Sequence, residues 1–92
     1  MKRDFSATLW KIGASVVFTV PAKVSKEFEL DKKSRLLMAN LALQDVSFEI
    51  LMKPWKCGGS IVITVPSPYV EGYGLNGYVK SKKEVNVILN KK

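Results

Sequence analysis

Short β-branched and aromatic stretches, broken by glycine, proline and charged turns, recur along the whole chain. This pattern predicts a β-rich fold with short helices. Phe5 to Ile12 alternates in part and reads as a strand. Gly13-Ala14-Ser15 reads as a turn, and Val16 to Val20 as a second strand of almost pure β-formers, so the two make a hairpin. Pro21 suits the first turn of a helix, where its missing N–H costs nothing. Ala22 to Leu30 then places Val24 and Phe28 on one helical face, with Leu30 near the end. Asp31-Lys32-Lys33-Ser34 is a polar turn. Arg35 to Leu43 and Val46 to Met52 read as two further strands joined through Gln44-Asp45.

The plan then repeats. Trp10 to Pro21 and Trp55 to Pro66 align at a constant offset of 45 residues with eight of twelve positions identical. Unrelated segments match at roughly one position in twelve, so the chain is an internal duplication. The first copy is expected to span 1–46 and the second 47–92, with both sharing one core. A strand to Lys56, a turn at Cys57-Gly58-Gly59 and a strand from Ile61 to Val65 are expected again. Tyr69 and Tyr73 align with Val24 and Phe28, and Leu75 with Leu30. Gly72 and Gly74 each cost about 1 kcal/mol against Ala in a helix, so the second helix is expected to be short or frayed. Asn76-Gly77 reads as a turn. Tyr78 to Ser81 and Val85 to Asn90 read as a closing hairpin through Lys82-Lys83, with the last two lysines as a tail.

A repeat of this size is too small to build a core without a staple. One cysteine and no histidine supply neither a disulfide nor a metal site, so each repeat needs the other or a second chain. The net charge is +7, and both halves contribute. Residues 1–46 hold eight Lys/Arg against five Asp/Glu, and residues 47–92 hold seven against three. That balance suits a polyanionic partner such as DNA or RNA; a lysine-rich solvated surface is the plain alternative. No apolar run is long enough to span a membrane, and Met1-Lys2-Arg3-Asp4 lacks the apolar stretch of a signal peptide, so a cytoplasmic protein is expected. Without histidine a Ser-His mechanism is impossible at Ser15 or Ser60, and the carboxylates form no acid/base pair. The chain is expected to be no enzyme and to need no cofactor or metal. Cys57 aligns with Ile12 and reads as a small apolar substitute. A lysine-rich chain without histidine is compatible with an archaeon or its virus.

The stretch Lys11-Ile12-Gly13-Ala14-Ser15-Val16-Val17-Phe18-Thr19-Val20-Pro21-Ala22-Lys23-Val24, followed by a helix and a β-hairpin, resembles the AbrB/MazE/SpoVT family of swapped-hairpin DNA-binding domains. The resemblance covers most of residues 7–52 and, less closely, 53–90. Lys33-Ser34 occupies the place of the family's Gly-Asp turn in the first copy. Gly77-Tyr78 approximates it in the second, with a one-residue deletion. Family members form an interlocked homodimer. The resemblance therefore implies a swapped-hairpin AbrB-like β-barrel built as a covalent pseudo-dimer, or else two chains paired as a homodimer.

It further implies double-stranded DNA as partner and a role in transcription regulation. The family's DNA-facing edge falls here on Lys11 and Lys56, each at the end of the first strand of its copy. Lys2, Arg3, Lys53, Lys23 and Lys26 could extend the basic face by phosphate contact, which needs only charge and reach. Trp10 and Trp55 could stack on nucleic acid, although packing is the more usual role of aromatic residues in a small barrel. Gly13, Gly58 and Gly59 serve backbone geometry, since no nucleotide-loop spacing accompanies them. Two rivals stand beside the regulator. One is an antitoxin-like interaction module, against which the lack of a long tail after Asn90 counts. The other is a nucleoid-type binder with little sequence preference, which the excess of lysine over arginine favours.

Overall fold

The computed structural model describes residues 2–30 and 36–90. The expected polar turn at residues 31–34, the strand start at Arg35, the Lys33-Ser34 turn and the two-lysine tail lie outside them. The strands are β1 (Lys2–Thr8), β2 (Trp10–Ile12), β3 (Ser15–Val20), β4 (Leu37–Ala42), β5 (Ser47–Met52), β6 (Trp55–Cys57), β7 (Ser60–Val65) and β8 (Glu84–Asn90). Helix α1 (Ala22–Phe28) follows β3, and α2 (Ser67–Gly72) and α3 (Leu75–Ser81) follow β7.

The strands form two antiparallel four-stranded sheets, ordered β1-β8-β4-β5 and β2-β3-β7-β6. Each sheet takes two strands from each half of the sequence. The pairings also repeat when the halves are exchanged: β1 lies against β8 as β5 lies against β4, and β2 against β3 as β6 against β7. The two central ladders, β3 with β7 and β4 with β8, join one half to the other. Alternate residues of both sheets fill a single core between them. Leu37, Ala39, Leu41, Val85, Val87 and Leu89 come from one side, and Val16, Phe18, Val20, Ile61, Ile63 and Val65 from the other. Neither half has a core of its own. Val24, Phe28, Val70 and Leu75 add the buried sides of the helices.

Several sequence-based expectations need correction. The sheets do not close into a barrel, because β1 and β5 remain edges of one sheet and β2 and β6 edges of the other. The chain crosses between sheets at Leu9 and again at Lys53-Pro54, where the proline has no N–H to continue a ladder. For the same reason Phe5 to Ile12 is not one strand: it breaks at Leu9, whose side chain turns into the core.

Tyr78 to Ser81 is not a strand but the last part of α3, and Asn76-Gly77 is in that helix rather than in a turn. Leu75, Tyr78 and Val79 recur at helical spacing, with Leu75 fully buried and the other two packed against the core. Gly77-Tyr78 therefore does not supply the family's turn. The inferred one-residue deletion is an insertion. Lys2 faces Asn90 and its counterpart Ser47 faces Ala42, so β8 follows β4 by 48 positions, three more than the 45 that relate the earlier strands. Those extra residues fall between β7 and β8, where the second half carries α3 in addition to α2.

Local chemistry explains the turns. Gly13 and Gly58 have φ +60° and +62° at the first position of two-residue turns, while Ala14 and Gly59 keep negative φ. Such a primed turn matches the strand twist and requires glycine at its first position. Pro21 and Pro66 stand just before α1 and α2 rather than inside them, and the Pro21 carbonyl accepts the Ser25 N–H at 2.9 Å. Helix α1 ends at Glu29 in the left-handed region (φ 55°), with the Leu30 N–H donating to the Ser25 carbonyl at 3.0 Å. Lys82 (φ 54°) ends α3 in the same way. Helix α2 has six residues, as short as its glycines led one to expect.

Candidate nucleic-acid interface

Lys11 and Lys56 are exposed on β2 and β6, the two outer strands of one sheet, one residue before the last of each strand and beside its glycine turn. Lys11 pairs with Val16, and Lys56 with Ile61, on the side of the sheet that carries the core. At the sheet margin that side opens onto the helices. Lys11 lines a cavity with Ser15, Val70 and Glu71, near α2, whereas Lys56 lines one with Ser25, Lys26 and Ser60, near α1. Each cavity thus joins the hairpin of one repeat to the helix of the other. Of the basic residues singled out from the sequence, Lys26 and Lys56 are brought together here.

The remaining candidates are dispersed. Lys2 lines a hollow with Met38, Asn40, Glu49, Ile88 and Asn90 on the other sheet. Lys23 is exposed on α1, and Lys53 on the crossing between β5 and β6. Arg3 is occupied: its Nε donates to Glu27 Oε1 at 3.1 Å and its Nη2 to Oε2 at 2.9 Å. This forked geometry holds the Glu27 carboxyl below its ordinary range, chiefly through the hydrogen bond and secondarily through the guanidinium charge; desolvation opposes the shift.

The second copy fills the place of that ion pair with aromatic rings. Phe48, the counterpart of Arg3, stacks on Tyr69 at 4.9 Å and on Tyr73 at 4.7 Å between ring centroids. The divergence of the segment from Tyr69 onward thus has a packing cause. Both β1–α1 and β5–α2 need a tether, and the two copies use different chemistry for it.

The two tryptophans are also matched. Trp10 Nε1 donates to Thr19 Oγ1 at 3.0 Å, and Trp55 Nε1 to Thr64 Oγ1 at 2.9 Å. Trp10 stands opposite Val17 and Trp55 opposite Val62, and both valines are fully buried although they belong to the outer face of the sheet. The indoles therefore cover that face while remaining 37% and 40% exposed. Cys57 is a half-buried free thiol at the end of β6, as Ile12 is half-buried at the end of β2.

Sequence reasoning missed Lys80, which lines a shallow hollow with Lys11 and Asn76, and Glu71, which shares the Lys11 cavity. Glu71 aligns with Lys26, so this charge exchange was legible in the repeat once the cavities gave it meaning. Among the described residues no group of three His, Cys, Asp or Glu side chains could hold a metal ion, and no helix is long and apolar enough to cross a membrane. Compared with protein-family models, with curated proteins and with solved structures, the chain has no match.

Proposed function

We propose that this chain binds double-stranded DNA as a swapped-hairpin pseudo-dimer, acting in the cytoplasm as a transcription regulator. The observation that carries the reading is the matched placement of Lys11 and Lys56. They occupy equivalent positions on the two outer strands of one sheet, each beside a glycine turn, in a chain of net charge +7. Paired basic edges related by exchange of the halves suit the repeated phosphates of a duplex, since a twofold-related binder meets twofold-related half-sites. The interleaving of both halves in each sheet supports a one-chain unit, because each repeat already receives from the other the strands it lacks.

A nucleoid-type binder with little sequence preference is the second reading, favoured by a specific feature. Among the described residues Arg3 is the one arginine, and Glu27 holds its guanidinium. Lysine contacts fix a protein on phosphates without reading bases. The test is binding to random and to selected duplexes over a salt series, with the mass of the complex measured alongside. Salt-sensitive binding by one chain supports the proposal, and a preference among duplexes separates regulator from nucleoid binder. No binding at low salt would sink both and leave a protein partner as the better reading.

A further inference from the structure

The two cavities at the hairpin–helix junctions are equivalent in position and unequal in charge. The one beside α1, of about 250 Å³, is lined by Lys56 and Lys26 from different repeats and by buried Ser25 and exposed Ser60, with Val20, Ala22 and Ile61 as its apolar part. In the one beside α2, of about 300 Å³, the counterparts are Lys11, Glu71, Val70 and Ser15. The first presents two cations and two hydroxyls. The second presents one cation beside one carboxylate; Val70 stands there for Ser25 and Ser67 for Ala22, so the charge, not the hydroxyls, distinguishes the two.

We infer that the α1 cavity is a phosphate-binding site, formed by Lys26 and Lys56 with Ser25 and Ser60, and that the α2 cavity is its inactivated twin. Two lysines and two serines lining one pocket supply the donors that a tetrahedral anion accepts on its oxygens. A pocket of this volume admits one phosphate group. At the α2 cavity Glu71 supplies the counter-charge that an anion would bring, and it repels a second anion. The contribution of the two halves to a polyanion is therefore unequal, with a two-cation pocket at one junction and a single exposed cation, Lys11, at the other. The anion is a phosphodiester of the duplex if the proposed function holds, and a free phosphate if it does not.

The experiment is an amide NMR titration of the full chain with inorganic phosphate at constant ionic strength. Gly59 and Ser60 are expected to shift on addition, and Ala14 and Ser15 to stay. Lys26→Glu is expected to weaken the Gly59 and Ser60 response about tenfold or more, equivalent to about 1.4 kcal/mol. Glu71→Lys is expected to create the response at Ala14 and Ser15. Both positions are exposed, so neither change disturbs the core. An equal response at both junctions, no response at Gly59 and Ser60, or an unaltered response in Lys26→Glu would overturn the inference. A duplex-DNA titration of the same three proteins distinguishes the sources. Binding weakened by Lys26→Glu and strengthened by Glu71→Lys identifies the phosphodiester. A phosphate response without duplex binding keeps the site and removes the DNA reading. Duplex binding indifferent to both substitutions keeps the DNA reading and removes the site from it.

Discussion

Phe18 stands directly opposite Ile63 in the ladder between β3 and β7, and each is the other's counterpart in the repeat. The exchange of halves therefore passes through this pair, and both side chains are buried in the shared core. A large ring on one side and a branched aliphatic on the other fill a space that two identical residues would fill differently.

That arrangement makes a volume prediction. Phe18→Ile alone leaves a void, and Ile63→Phe alone overfills the same place, each costing about 1–3 kcal/mol. The double variant restores the total volume with the partners exchanged. Its unfolding free energy by denaturant titration is expected to lie above the sum of the single losses by about 1 kcal/mol or more. Strict additivity would show that the two sides of the pair pack independently.

The matched lysines make a prediction about salt. Lys11→Ala combined with Lys56→Ala is expected to weaken duplex binding across sequences and to reduce the slope of log affinity against log salt by about two units. An unchanged slope would remove both residues from the phosphate contacts.

Backbone geometry predicts opposite effects for glycine at two kinds of position. Gly13→Ala and Gly58→Ala place a side chain at positive φ and are expected to cost about 1 kcal/mol or more each. Glu29→Gly and Lys82→Gly relieve the same conformation at two helix ends and are expected to add up to about 1 kcal/mol of stability each, read as a higher thermal midpoint. A fall in the midpoint for the second pair would mean that their side chains contribute more than their backbone strain costs.

The tethers of the two helices predict different responses to acid. The folded-state pKa of Glu27 is lowered by Arg3, so its contribution is present above the ordinary carboxylate range and is lost as pH falls through the lowered value. Amide protection in α1, taken relative to the intrinsic exchange rate at each pH, is expected to fall on acidification, and Glu27→Gln to remove most of that dependence. The aromatic tether of α2 has no such group, so the same titration should leave the Phe48–Tyr73 contact unchanged. Because both members of the ion pair are solvent-exposed, the effect is small and screened by salt.

Much of the local structure was legible in the residues. The glycine turns, the strands leading to Pro21 and Pro66, the Val24/Phe28 helix face and the hairpin through Gln44-Asp45 all have near-neighbour causes. Local steric preference and alternation act within a few residues, so they are written in the order of the chain. Of the candidate contacts, the equivalence of Lys11 with Lys56 and of Trp10 with Trp55 was also legible, because it follows from the duplication alone.

What only the tertiary structure decided is which half meets which. Register between β3 and β7 and between β4 and β8 depends on burying both inner faces together, a condition no short window contains. The same condition breaks the first strand at Leu9 so that one chain can serve two sheets. It also turns Leu75 to Ser81 into a helix whose apolar side closes the core. It sends Lys56 toward Lys26 and Lys11 toward Glu71, across the repeats rather than within them. Sequence by itself determined two similar units with basic edges. Packing determined that their helices and hairpins cross over, because neither unit can bury its apolar face alone.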